Sequence, residues 1–195
     1  MNFLAHLYLS KSNKNILIGN FIADAVKGKA MESYATEVRR GIVLHRAIDA
    51  YTDSHSLHRA SRTKLHQRYG HYSGVMVDIY YDHFLAKYWS DYADTDLMAY
   101  TEEVYGVIQK NETILPERIK YMMQYMIPQN WLYNYANLEG IEKVFRGMAN
   151  RTKFESNMET GVEDLVESYD DFRSDFANFF PQLEEFVKNK ILTIK

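Results

Sequence analysis

A histidine and two aspartates follow one another at intervals of four residues in the segment "GIVLHRAIDAYTD" (41–53), whose apolar residues otherwise have helical spacing. Four residues advance an α-helix by about 6 Å and roughly 40°. The side chains of His45 and Asp49 therefore point towards the same region on the apolar face of the helix. Asp53 is rotated about the helix axis about twice as far from His45 as Asp49 is. An unpaired buried carboxylate costs several kcal/mol, so these groups must be paired, protonated or bound to a cation.

Three further apolar segments contain isolated polar side chains of the same kinds. Each one, taken singly, is explained by a hydrogen bond between helices. Histidine nitrogens and aspartate oxygens from four helices, however, are together typical ligands of a hydrolytic Mn, Fe, Zn or Mg site. The further polar residues are His6 in 3–9, Asn20 and Asp24 in 16–26, and Asp78, Asp82 and His83 in 75–89.

The spacing of apolar residues predicts an all-α fold, a single-domain helical bundle spanning residues 1–195. Apolar residues recur at three and four positions, and the chain has no alternating strand pattern and no hairpin turn. Aromatic residues at helical spacing, such as Tyr80, Tyr81 and Phe84, favour a core over a ligand groove. The predicted helices cover 2–9, 13–27, 34–52, 56–69, 73–89, 95–109, 116–134, 138–149 and 162–191, the last with a candidate break at Pro181.

Composition narrows the classes of function. The chain has no cysteine, which excludes disulfides and cysteine nucleophiles and fits a reducing, cytoplasmic location. Its N-terminal apolar run has no preceding basic segment and is too short to span a bilayer, so we expect no membrane partner. A net charge of −3 argues against a nucleic-acid partner.

The segments that carry these polar groups resemble the bacterial acyl carrier protein phosphodiesterase family, also called acyl carrier protein hydrolase. The resemblance covers most of the chain, in the family's order and approximate spacing. The matching blocks are "MNFLAHLYLS" (1–10), "GNFIAD" (19–24), "GIVLHRAIDAYTD" (41–53), "DIYYDHFLAKYWS" (78–90) and "GMANR" (147–151).

This resemblance implies an atypical HD-domain-like, metal-dependent phosphohydrolase. Such an enzyme would release 4′-phosphopantetheine from the serine of holo-acyl carrier protein, with Mn²⁺ as the expected ion and Mg²⁺, Fe²⁺ or Zn²⁺ as alternatives. The superfamily is named for an adjacent His-Asp pair, but this chain has only the reversed pair Asp82–His83. The assignment of single ligand positions therefore stays open.

Within the matching blocks we expect one metal site with acid–base groups beside it. Whichever of His45, Asp49 and His83 does not bind the ion would act as general acid or base. Arg46 would clamp the phosphate, and Asn20 would orient Asp24. The candidate metal ligands are His6, Asp24, His45, Asp49, Asp82 and His83.

A basic stretch follows the proposed catalytic helix. Residues 54–77 contain no acidic residue and have a formal charge of +4, against −3 for the whole chain. Acyl carrier proteins are strongly acidic, so we expect a docking surface here, with an ordinary solvated helix face as the alternative. Its cations are Arg59, Arg62, Lys64 and Arg68.

Three other functions remain as alternatives. An HD-like enzyme acting on a nucleotide or another small phosphoester would use the same ligands. A di-iron bundle is less favoured, because its usual Glu-x-x-His pattern is missing. A non-catalytic helical protein that binds carrier proteins would pair its polar groups among themselves. The sequence leaves the oligomeric state open.

Overall fold

Helices make up the whole fold of the computed structural model, which describes residues 1–194. Over that range the chain has no strand, so the predicted all-α class is confirmed. The α-helices are α1 (Phe3–Leu9), α2 (Lys14–Ile22), α3 (Thr36–Ser54), α4 (Ser56–Tyr69), α5 (Ser73–Lys87), α6 (Leu97–Lys110), α7 (Glu117–Met126), α8 (Trp131–Asn134), α9 (Leu138–Ala149), α10 (Gly161–Glu167) and α11 (Tyr169–Thr193).

Several predicted boundaries were wrong. The helix predicted at 13–27 ends at Ile22, and a 3₁₀ turn over Ala23–Ala25 follows it. The helix predicted at 116–134 is divided into α7 and α8. The C-terminal helical region is interrupted at Ser168, and α11 continues through Pro181. Pro181 and Ala177, whose carbonyl loses its helical partner, are both exposed, so water can satisfy that carbonyl.

Helices α2 and α3 touch through their backbones. A Cβ atom on Gly19 would lie 1.9 Å from the carbonyl oxygen of Val38, and one on Gly41 would lie 2.2 Å from the carbonyl oxygen of Ile16. These distances leave no room for a methyl group. The two glycines therefore allow a close approach that places the C-terminal end of α2 against the middle of α3.

The core is rich in aromatic rings from α5 and α11. Tyr80, Tyr81 and Phe84 of α5 are fully buried, and Phe84 stacks on Phe176 of α11 with ring centroids 5.8 Å apart. Trp89 is buried as well. The expectation that these aromatic residues form core and not a ligand groove agrees with their burial.

Helix α1 is fixed to this core through its N-terminus. The buried carboxylate of Asp82 accepts hydrogen bonds from the main-chain N–H groups of Leu4 (2.7 Å) and Ala5 (3.2 Å). Free N–H groups at a helix start favour such a negative partner. The contact fixes the position of α1 and, with it, the direction of His6.

Candidate metal centre

Two histidines and one aspartate meet where α1, α2 and α3 come together. Nε2 of His6 lies 3.1 Å from Oδ1 of Asp49, and Nε2 of His45 lies 3.1 Å from Oδ2 of the same carboxylate. The imidazole rings are stacked, with centroids 3.9 Å apart. One donor atom from each of the three side chains fits within a 4.8 Å spread, as binding to one ion requires.

A fourth polar group, Asp24, completes the cluster at the mouth of a cleft. Its Oδ1 lies 3.2 Å from Nε2 of His45, while its side chain is 77% exposed. The cleft has a volume of about 260 Å³ and opens beside His45 and Asp49. It is lined by Met1, Asn2, Asp24, His45, Asp49, Asp53, Val75 and Asp78.

The hydrogen bonds around His45 show that the donor set fits a divalent cation. The main-chain carbonyl of Asn20 lies 2.8 Å from Nδ1 of His45, so that nitrogen carries a proton. In the neutral ring, the lone pair on Nε2 then faces the carboxylate oxygens of Asp24 and Asp49. Acceptors that converge in this way need a proton or a metal ion between them. Two imidazole nitrogens and carboxylate oxygens suit Mn, Fe and Zn.

The same arrangement explains the shifted pKa values of the cluster. Burial opposes a charge on His45, but hydrogen bonds to Asp24 and Asp49 outweigh it and raise the pKa of His45 to about 9. Burial likewise opposes the charge on Asp49, yet His45 and His6 hold the pKa of Asp49 well below its ordinary value. Burial lowers the pKa of His6. The cluster thus favours negative carboxylates with one positive charge among them.

The structure does not bring Asp82 and His83 to this centre, although both were candidate ligands. Asp82 caps α1, as described above. His83 lies among aromatic residues, where Nδ1 is 2.7 Å from the main-chain oxygen of Tyr135 and Nε2 is 3.0 Å from the hydroxyl of Tyr169. The donor atoms that converge within 4.8 Å belong to His6, His45 and Asp49. We therefore leave Asp82 and His83 out of the proposed ligand set, and His83 out of the proposed acid–base groups.

The predicted phosphate clamp, Arg46, lies outside the buried cluster. It is exposed, and its Nη2 donates to the main-chain oxygen of Val26, 3.2 Å away, just beyond the turn that carries Asp24. Asn20 also differs from its predicted role. It contacts His6 and His45, and no hydrogen bond joins it to Asp24 within the described residues.

Sequence reasoning assigned no role to a second histidine–aspartate pair beside the cleft. Nε2 of the fully buried His58 lies 3.0 Å from Oδ1 of Asp78, and the α-amino nitrogen of Met1 lies 3.1 Å from the same oxygen. The four-residue interval between Asp78 and Asp82 was the sequence feature that could have indicated a polar group beside the cleft. It did not show which of the two faces the cleft.

The basic helix α4 divides into two parts. Lys64 and Arg68 form ion pairs inside the chain, with Asp175 (3.0 Å) and Asp164 (2.9 Å) respectively. Arg62 is partly exposed and lies 3.8 Å from the carboxylate of Asp53, which lines the cleft. Arg59 is exposed and donates to the main-chain oxygen of Ser54. Because Arg62 lies near a cleft residue and has only a long ion pair within the described residues, Arg59 and Arg62 are the cations that we carry forward as candidates for an external partner.

An all-helical protein with stacked histidines and aspartates beside an open cleft presents side chains that hydrolytic sites commonly use. A family model described as acyl carrier protein phosphodiesterase matches residues 1–183. The chain belongs to this family.

Curated relatives with the same description span nearly the whole chain. The protein from Photorhabdus laumondii is 34% identical over 191 residues, covering 97% of this chain and 96% of its own. The protein from Pectobacterium atrosepticum is 32% identical, covering 98% and 100%, respectively. An Escherichia coli protein is also 32% identical, with the same coverage.

No solved structure matches this chain. Within residues 1–194, no helix is both long enough and apolar enough to cross a membrane.

Proposed function

We propose that this protein hydrolyses the phosphodiester bond that joins 4′-phosphopantetheine to the serine of holo-acyl carrier protein. The products would be apo-acyl carrier protein and free phosphopantetheine. The observation that carries the proposal is the convergence of His6, Asp24, His45 and Asp49 beside a cleft. Family membership and the names of the curated relatives support this choice of substrate.

His6, His45 and Asp49 would hold a divalent cation, for which Mn²⁺ is our first choice and Mg²⁺, Fe²⁺ and Zn²⁺ are alternatives. When bound, such a cation lowers the pKa of water and neutralises charge on phosphate oxygens. The histidines present Nε2, and Asp49 presents a different oxygen to each histidine. An HD-like relationship of the fold stays a prediction.

Asp24 and Arg46 would act on the substrate side of the centre. The Asp24 carboxylate is exposed to the cleft, so it can accept a hydrogen bond from an attacking water and orient it. Arg46 is fixed on Val26 beside the turn that carries Asp24, and its guanidinium can donate to the non-bridging phosphate oxygens.

Arg59 and Arg62 would receive the acidic carrier protein beside the cleft. Arg62 lies close to Asp53, which lines that cleft, so a partner attracted to α4 would reach the metal centre. Complementary charge of this kind mainly raises the association rate and fixes orientation. A cytoplasmic location for the reaction stays a prediction from the sequence.

The test is incubation of the purified protein with holo-acyl carrier protein and Mn²⁺, followed by measurement of the carrier's intact mass. We expect loss of the phosphopantetheine group with the wild type and with Asp53→Asn, a matched change in the same cleft. Asp49→Asn should leave the holo mass unchanged. Phosphate release from a nucleotide panel with no change in the carrier would favour the small-molecule enzyme, and carrier binding without a metal requirement would favour the non-catalytic protein.

A further inference from the structure

The side chain of Asn20 is fully buried and lies between the two histidines of the centre. Its Oδ1 is 2.8 Å from Nδ1 of His6 and 3.1 Å from Nδ1 of His45. Its Nδ2 donates to the main-chain oxygen of His6 (2.7 Å) and to the hydroxyl of Ser10 (2.9 Å). Every polar atom of this amide therefore has partners.

These contacts determine the orientation of the amide. The main-chain oxygen of His6 can only accept a hydrogen bond, so the nitrogen of Asn20 must face it. The Ser10 hydroxyl donates to the same carbonyl and presents a lone pair to Asn20. The amide oxygen must then face the imidazoles. Because that oxygen only accepts, Nδ1 of each histidine must be the donor.

We propose that Asn20 is a positioning residue that sets the tautomer of both histidines, with the proton on Nδ1 and Nε2 left for the cation. One amide oxygen thus orients two ligands at once. The hydrogen-bond partner of the non-ligating ring nitrogen generally decides which nitrogen binds a metal. The proposal rests on the metal centre of the proposed function.

The two histidines depend on Asn20 to different degrees. His45 also donates from Nδ1 to the main-chain carbonyl of Asn20, a contact that any substitution at position 20 retains. Among the described residues, the amide oxygen is the only partner of Nδ1 of His6. Loss of the side chain should therefore release His6 and leave His45 fixed. A purely structural role for Asn20 would not produce this asymmetry.

The experiment uses Zn²⁺ as a diamagnetic probe and does not involve carrier protein. In Asn20→Ala, calorimetry should show Zn²⁺ affinity reduced by about 10- to 100-fold. In NMR of the ¹⁵N-labelled, Zn²⁺-loaded protein, the protected Nδ1–H signal of His6 should disappear while that of His45 persists. The matched control is Thr52→Val on α3, which removes a buried hydroxyl that has no hydrogen-bond partner in the part of the chain that the structure describes. It should preserve both signals and the affinity.

Asn20→Asp keeps an acceptor oxygen towards the imidazoles, but its second oxygen faces the carbonyl of His6, to which the amide donates in the wild type. We therefore expect a lower free energy of unfolding than in the wild type, with both Nδ1–H signals retained and Zn²⁺ bound more tightly than in Asn20→Ala. If the alanine variant does not fold, Asn20→Asp provides the test instead. Zn²⁺ affinity within twofold of wild type in Asn20→Ala, or loss of the His6 signal in a folded Asn20→Asp, would overturn the proposal. If the asymmetry appears but carrier protein is not hydrolysed, only the proposed function fails.

Discussion

The imidazole rings of His6 and His45 lie almost parallel, with an angle of 14° between their planes and centroids 3.9 Å apart. Two imidazolium ions at this separation would repel each other, and burial raises the cost. The stacking is therefore compatible with two neutral rings that bind one cation, or with a single shared positive charge. The protonation states of the two histidines are therefore linked, although 39 positions separate the residues in the chain.

Substitution of His45 and of His83 should have different effects. His45→Ala removes a proposed ligand, so we expect loss of Mn²⁺ binding and turnover with helical content near that of wild type. His83→Gln disturbs two hydrogen bonds to Tyr135 and Tyr169, so we expect a decrease of about 1–3 kcal/mol in the free energy of unfolding, with metal binding retained. Calorimetry with Mn²⁺ and urea denaturation separate the two. Loss of Mn²⁺ binding in folded His83→Gln would contradict the ligand set.

Chelation of the metal should lower thermal stability reversibly. A ligand at 100 times its Kd stabilises the folded state by about 2.7 kcal/mol. We therefore expect EDTA to lower the Tm of metal-loaded protein, and Mn²⁺ to restore it. Asp49→Asn should have the same Tm with EDTA and with Mn²⁺. An equal response to Mn²⁺ in wild type and Asp49→Asn would place the ion elsewhere.

A methyl group between α2 and α3 should damage both stability and the metal centre. Gly41→Ala puts a Cβ atom 2.2 Å from the carbonyl oxygen of Ile16, and such overpacking costs typically 1–3 kcal/mol. Because the helices must separate, Mn²⁺ affinity should decrease as well. Gly106→Ala is the matched control, since within residues 1–194 the added Cβ would lie within 4 Å of nothing beyond its own turn of α6. It should be neutral or stabilising by about 0.4–1 kcal/mol. Equal effects of the two changes on chemical denaturation would refute this explanation.

Charge reversal on α4 should weaken binding of the carrier protein and leave the rate of the chemical step unchanged. The double change Arg59→Glu and Arg62→Glu should raise KM for holo-acyl carrier protein and flatten its salt dependence, with kcat little changed. Alanine at Lys64 and Arg68 removes ion pairs within the chain and should leave KM near that of wild type. Steady-state kinetics at two salt concentrations make the comparison. An equal rise in KM for both pairs would assign docking to the whole helix.

The carboxyl group of Asp82 should give the protein a characteristic pH dependence. Burial raises its pKa to about 7, against 3.8 without burial, although the N–H groups of Leu4 and Ala5 oppose this shift. Between these two values the folded protein binds more protons than the unfolded chain, so the free energy of unfolding should fall as the pH rises from about 4 to 7. Asp82→Asn should lack this contribution. Urea denaturation across that range tests it, and parallel profiles for the two proteins would contradict the shift.

The fold class and much of the centre could be predicted because they depend on local patterns. An isolated polar residue on an apolar segment identified His6, and polar residues four positions apart identified Asp24, His45 and Asp49; the structure brings all four together. Local patterns do not show which neighbour each polar side chain meets.

The remaining assignments depend on distant parts of the chain. Asp82 has the same kind of apolar surroundings as Asp24, but it faces the start of α1 instead of the cleft. The acidic partners of Lys64 and Arg68 lie 111 and 96 residues away, so the pairing within the chain was not visible in the sequence.

Asp82 also has a consequence for the order in which the molecule is assembled. Helix α1 has seven residues, and helices this short do not persist alone in water. Its main anchor lies 78 positions further along the chain, and its contact to Asp49 spans 43 positions. Closing such long loops is slow compared with forming a helix. During synthesis, α1 therefore lacks its anchor until α5 has formed, and His6 cannot take its place beside Asp49 before then.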